Sequence, residues 1–135
     1  GCDVVALEPD SSDLVGAGAI QSLIDATNLN IEIVQEYGET LPFADNTFDI
    51  VYGRAVLHHA NNLPKLCRES ARVLKPGGIF LATREHVISR HDDLQKFLDG
   101  HALHFLYGGE NAYLLSEYMT AIRIEHGTKL NTGTF

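Results

Sequence analysis

The chain has no tryptophan, one methionine, two cysteines and four prolines among its 135 residues. Two cysteines, Cys2 and Cys67, cannot build the multi-bridge framework of a small secreted domain, so a reducing, cytoplasmic setting is expected. No run of about 18 apolar residues occurs, and no membrane span is expected. Lysine and arginine total 10 against 18 acidic residues, and the formal net charge is −8. The basic residues are scattered. A protein that neutralises many phosphates needs them clustered, so nonspecific nucleic-acid binding is not expected. There is no Cys pair at metal-ligand spacing and no His-Glu-x-x-His, and no bound metal is expected. The nearest approach to a ligand pattern is His101-x-x-His104, with His91 and Asp92 upstream. No Tyr-x-x-x-Lys pair is present, which argues against a nicotinamide-dependent dehydrogenase. The N-terminus, Gly1-Cys2-Asp3, is neither an initiator Met nor a signal peptide, and reads as an excerpt of a longer product.

What is present is a single domain's worth of alternating elements across residues 1–135. Asp3 to Leu7 is a short apolar run that suits a buried parallel strand. Ala17, Ile20, Leu23, Ile24 and Ala26 fall at helix spacing, with Asn28 and Asn30 punctuating the end. Ile31 to Val34 predicts a second strand and Phe48 to Tyr52 a third. Leu41 to Asn46 is a turn with Pro and Asx breakers. Leu63, Leu66, Cys67, Ser70, Ala71 and Leu74 follow i, i+3, i+4, i+7, i+8, i+11, a clear amphipathic helix with Cys67 on its apolar face. Asn61 or Asn62 can cap it, and Pro64 is tolerated in its first turn. Lys75 complements its dipole, and Pro76-Gly77-Gly78 stops it. Ile79 to Thr83 predicts a fourth strand. Leu94, Phe97, Leu98, Ala102 and Phe105 form one more helical stripe, broken at Gly108-Gly109. Ser116 caps a last helix ending near Gly127, and Leu130 to Phe135 begins another strand. Strands alternating with helices imply βαβ units and a parallel sheet.

In open parallel sheets, ligands bind beyond the carboxyl ends of the strands. Those ends are Glu8 to Asp10, Gln35 to Glu39, Gly53 to His59, and Arg84 to His86. Glu8 has two readings: a carboxylate that accepts from the two hydroxyls of a ribose, or a solvated loop residue. Gly16-Ala17-Gly18 is spaced like a phosphate-loop fingerprint but follows no strand. His58 and His59 read either as a helix-entry turn or as a substrate contact or base. Tyr107, Tyr113 and Tyr118 line a substrate cavity or pack in the core.

Three motifs stand in order along the chain. They are Leu41-Pro42-Phe43-Ala44-Asp45-Asn46-Thr47-Phe48-Asp49-Ile50-Val51, then Val56-Leu57-His58-His59, then Arg72-Val73-Leu74-Lys75-Pro76-Gly77-Gly78. Together they resemble the class I S-adenosylmethionine-dependent methyltransferases, above all the small-molecule group that includes the ubiquinone and menaquinone C-methyltransferases. The resemblance covers Asp3 to about Glu85. It implies an α/β, Rossmann-like, doubly wound and mostly parallel sheet with helices on both faces, whose first strand and glycine-rich loop are missing here. It implies S-adenosyl-L-methionine as cofactor and a small-molecule methyl acceptor. Glu8 with Pro9 would meet the ribose, Gly38 and Glu39 the adenine side, and Gly53, Arg54 and Ala55 the methionine end. The family's adenine-binding acid falls at Tyr37, between Glu36 and Glu39. Residues 86–127 correspond to the variable substrate-capping region. His58 and His59 are the candidates for a catalytic role. The missing strand would lie mid-sheet, so a second copy filling the gap, or a locally rearranged sheet, is also expected. The alternative expectation is a truncated, catalytically incompetent interaction module.

Overall fold

The structure, a computed structural model, describes residues 1–107 and 109–126. The expected strand at Leu130 to Phe135, and Gly108 and Gly127 as helix breakers, lie outside the described residues. The chain forms two compact units, Gly1–Pro42 and Phe43–Phe135.

The first unit is one βαβ crossover: β1 (Val4–Leu7), α1 (Ala17–Thr27) and β2 (Ile31–Val34). The strands pair in parallel from Val4 opposite Ile31 to Leu7 opposite Val34. Glu8 N–H continues the ladder onto the Val34 carbonyl at 3.0 Å. Helix α1 ends as its sequence predicts, with Asn28 in the left-handed region (φ 55°, ψ 31°) and its N–H returned to the Ile24 carbonyl. The glycines that look like a phosphate fingerprint have a local cause. A Cβ on Gly16 would strike the backbone of Asp10 and Ser12, and one on Gly18 would strike Asp13. They let the β1–α1 connection fold tightly over the start of the helix.

The second unit holds β3 (Phe48–Arg54), a 3₁₀ turn at Leu57–His59, α2 (Leu63–Val73) and β4 (Leu74–Thr83). It continues with β5 (Val87–Ile88), α3 (Asp93–Gly100), α4 (Ala102–Tyr107), β6 (Tyr113–Leu114) and α5 (Leu115–His126). β3 and β4 pair in parallel, as do β5 and β6. The core is Leu57, Ala60, Leu63, Leu66, Cys67, Tyr118 and Ala121, with Phe80, Ala82, Tyr113 and Ile122 packed against it. Cys67 is fully buried, as its place on the apolar stripe of α2 requires.

Several boundaries differ from the sequence expectation. Helix α2 ends at Val73, and Leu74 already pairs with Phe48. Lys75 is therefore a strand residue that binds Asp49 at 2.8 Å, not a helix-dipole partner. Pro76-Gly77-Gly78 forms a bulge, since the pairing steps from Phe48–Leu74 to Ile50–Ile79. β3 runs on through Gly53 and Arg54, leaving Ala55 as the turn residue. The stripe over residues 94–105 is two helices, broken at His101 (φ −97°, ψ 107°). Phe105 is 70% exposed, so it lies outside the core. Ser116 lies inside α5, where its carbonyl accepts from the Thr120 hydroxyl. The α5 entry is closed instead by Glu117, whose carboxylate accepts from Leu114 N–H at 2.8 Å. Tyr113 and Tyr118 are core residues that meet edge to face at 5.5 Å, with hydroxyls donating to the Ala60 and His86 carbonyls. No described helix is long and apolar enough to cross a membrane.

Arg72 explains two of the sequence motifs at once. Its guanidinium holds Glu69 through Nε and Nη2 at 2.9 and 2.7 Å, and Nη1 reaches the Phe43 carbonyl and Asp45 at 2.7 and 2.8 Å. The Arg72 and Val73 carbonyls accept from Asn46 and Thr47 N–H. The Leu41–Asn46 turn and the end of α2 are thus one hydrogen-bonded assembly, with Arg72 supplying the fork geometry that carboxylates match.

Candidate functional site

β3 and β4 run in parallel, so their carboxyl ends lie together, and each is followed by a non-glycine residue at positive φ: Ala55 at 55° and Arg84 at 62°. Each such residue costs about 1–2 kcal/mol and persists only when its surroundings hold it. Ala55 N–H donates to the Thr83 carbonyl at 2.8 Å, which ties the two turns together. Glu85, the next residue after Arg84, closes the assembly. Its carboxylate accepts from Val56 N–H at 3.2 Å, His58 N–H at 3.0 Å and His58 Nδ1 at 2.7 Å. Burial pushes the Glu85 carboxyl up, but these hydrogen bonds outweigh it and hold the group below its ordinary value.

A carboxylate only accepts, so His58 Nδ1 is the donor in this contact. His58 is 1% exposed. Its ring stacks on His86 with centroids 4.1 Å apart, and Nε2 lies 3.7 Å from Glu110 Oε2. His59 is exposed and its Nδ1 meets the Gly109 carbonyl at 3.0 Å. Burial, then the neighbouring His58 ring, lowers the His86 pKa against the opposing pull of Glu110. Burial likewise raises the Tyr118 phenol, and Glu85 adds to it.

Gly53 is buried because of Leu57: an added Cβ would come within 3.2 Å of the Leu57 side chain. Arg54 is exposed and Ala55 half-buried. In the first unit, Glu8 is half-buried at the end of β1, and its Oε1 accepts from Asp10 N–H at 2.9 Å. Pro9 is exposed beside it, and Gly38 and Glu39 occupy the turn closed by Thr40 N–H on the Tyr37 carbonyl. The parallel pairing of β1 with β2 puts Glu8 and this turn at the same end of one strand pair. Glu8 with the Gly38–Glu39 turn, and Gly53 to Ala55 with His58 and His59, thus form two clusters, one in each unit. A groove of about 500 Å³ opens between the starts of α2 and α5, lined by Asn62, Pro64, Tyr113, Glu117 and Thr120 among others. None of the expected cofactor residues lines it.

Two acidic residues of the second cluster escape sequence reasoning. Glu85 falls in a strand end singled out above, but its bonds span 27 and 29 residues and no local pattern reveals them. Glu110 carries no motif at all. His101 joins His86 and Glu110, rather than the His91 and Asp92 that its spacing suggests.

Comparison with known proteins adds a family, two relatives and two solved structures. The family described as "Methyltransferase domain" matches residues 1–82. The methyltransferase YcgJ of Bacillus subtilis is 30% identical over 107 residues, covering 73% of this chain and 42% of its own. The ubiquinone/menaquinone biosynthesis C-methyltransferase UbiE of Klebsiella pneumoniae is 39% identical over 79 residues, covering 57% of this chain and 30% of its own. The chain thus spans less than half the length of these relatives. The solved structure of YcgJ superposes with a TM-score of 0.74 at 24% identity over 90% of this chain and 50% of that one. Geranyl diphosphate methyltransferase, solved in complex with SAM, gives 0.69 at 17% identity over 93% of this chain and 48% of that one. The fold is therefore Rossmann-like α/β with parallel strands, in short sheets.

Proposed function

The chain belongs to the methyltransferase-domain family, and from that premise we propose that it transfers the methyl group of S-adenosyl-L-methionine to a small-molecule acceptor. The observation that carries the reading is the family match over residues 1–82, which runs through Glu8 at the end of β1 and Gly53 to Ala55 at the end of β3. The names of the relatives support the acceptor class, since one acts in ubiquinone and menaquinone biosynthesis.

The residues present fit the cofactor's ribose. Glu8 is an acceptor-only group, accessible at a parallel strand end, with its backbone fixed by the ladder bond to Val34. Pro9, Gly38 and Glu39 would line the same end of that strand pair. Gly53, Arg54 and Ala55 would meet the methionine portion, their backbone held by the Thr83 and Glu85 contacts. When bound, the cofactor supplies a sulfonium whose methyl group is already activated. The protein then has to align the acceptor and keep water out. A base is needed only where the acceptor must shed a proton, and His58 and His59 are the ring nitrogens beside the β3 end. Residues 86–126 would select the acceptor.

Calorimetric titration with S-adenosylhomocysteine tests the reading. Micromolar binding that disappears in Glu8→Ala is expected. An absence of binding by the unaltered chain, or binding indifferent to Glu8→Ala, would overturn it.

A further inference from the structure

Glu110 is a buried carboxylate with an unmet need. Its side chain is 8% exposed, and Oε2 has no hydrogen-bond partner. Leaving a buried acceptor unsatisfied is costly, and more so for a charge. The groups around it do not meet that need as they stand. His86 Nδ1 is 3.5 Å away and His58 Nε2 3.7 Å, and His86 Nδ1 and His101 Nδ1 are themselves buried without a partner. Three neighbouring groups, all able to offer a lone pair, are thus left without a donor among them.

The spacing suits a cation. Metal–ligand bonds of about 2.0–2.1 Å arranged tetrahedrally put neighbouring donors about 3.4 Å apart. The 3.5 Å from His86 Nδ1 to Glu110 Oε2 is long for a good hydrogen bond and close to that edge. One donor atom from each of His86, His101 and Glu110 lies within 4.8 Å of the others, so small side-chain rotations complete the set. The Phe97 ring packs beside both imidazoles, 5.0 Å from His86 and 5.2 Å from His101.

We propose that His86, His101 and Glu110 bind one divalent transition-metal ion of the zinc class. Two imidazoles and one carboxylate match zinc better than magnesium or calcium, which prefer all-oxygen sets. Three protein donors leave a coordination position open. The His58 ring, stacked on His86 and locked by Glu85, fixes the orientation of the His86 ring. A second trio, His58, His59 and Glu110, shares the carboxylate. Its two Nδ1 atoms already have partners in Glu85 and the Gly109 carbonyl, so the unmet need lies with His86 and His101.

The test uses the full chain, stripped with chelator, and zinc ion alone; no methyl donor is present, so it is independent of the methyl-transfer reading. Calorimetry is expected to show one zinc per chain at micromolar affinity or tighter, and cobalt substitution to give the visible bands of a tetrahedral site. Glu110→Gln and His101→Asn should each weaken binding at least roughly tenfold while His59→Asn leaves it unchanged. Circular dichroism melts report whether each variant is folded. Failure of the unaltered chain to bind zinc would overturn the proposal. So would loss of binding in His59→Asn with retention in His101→Asn.

Discussion

Glu85 gathers three hydrogen bonds on one carboxylate. It takes two backbone N–H groups and one ring N–H from the Val56–His58 turn, next to Ala55 at positive φ. The carboxylate is the only group type here that accepts three times without also presenting a donor. Glu85→Gln keeps the shape but turns an amide N–H₂ toward one of those donors. The side chain is 11% exposed, so water cannot repair the mismatch. The expected loss is about 1–3 kcal/mol. Urea unfolding with an unchanged slope would report it; an unchanged midpoint would mean that the carboxylate does not clamp the turn.

The two glycines of Pro76-Gly77-Gly78 serve the β4 bulge in different ways. Gly77 has φ +82° and open space where a Cβ would go, so its need is conformational alone. Gly78 has no such φ, but a Cβ there would lie 2.9 Å from the Lys75 carbonyl oxygen and 3.1 Å from that of Asp49. Gly77→Ala is expected to cost about 1–2 kcal/mol, and Gly77→Asn less, because Asn tolerates the left-handed region. Gly78→Ala should cost about 1–3 kcal/mol through overpacking, and Gly78→Asn should recover nothing. Thermal melts of the four variants separate the two roles. The sequence marked Pro76-Gly77-Gly78 as a break but as a helix stop rather than a strand bulge, whereas β2 at Ile31–Val34 and the buried stripe of α2 were legible. Those elements carry a full period of their own pattern. The break at His101 was not legible, because one residue in extended conformation leaves the apolar spacing on either side intact. Nor were β5 and β6, since two residues each are too few to show alternation. At the site, the strand ends could be named from order alone. The Glu85 clamp and the Glu110 cluster could not, because they join residues brought together only by the fold.

At the scale of the whole molecule, the β3–β4 sheet of the second unit has two unlike faces. Phe80 and Ala82 pack on the core, while Ile50, Tyr52, Ile79 and Leu81 on the other face are 45–58% exposed. The parallel register sets Ile50 beside Ile79 and Tyr52 beside Leu81, so the four form one contiguous apolar patch. Among the described residues β3 pairs only with β4. An apolar face next to an unpaired strand edge is the combination that draws in another chain. The expectation from the sequence that a second copy associates here therefore becomes a measurable one. Sedimentation velocity over a concentration series should show the chain shifting from monomer toward a larger species. Ile50→Lys together with Leu81→Lys should abolish the shift. Because both side chains already face water, the double variant should melt within a few degrees of the unaltered chain. A concentration-independent monomer would show that this face stays uncovered by self-association. If association instead persists in the double variant, it uses another surface, such as the exposed Phe105 and Leu106 of α4.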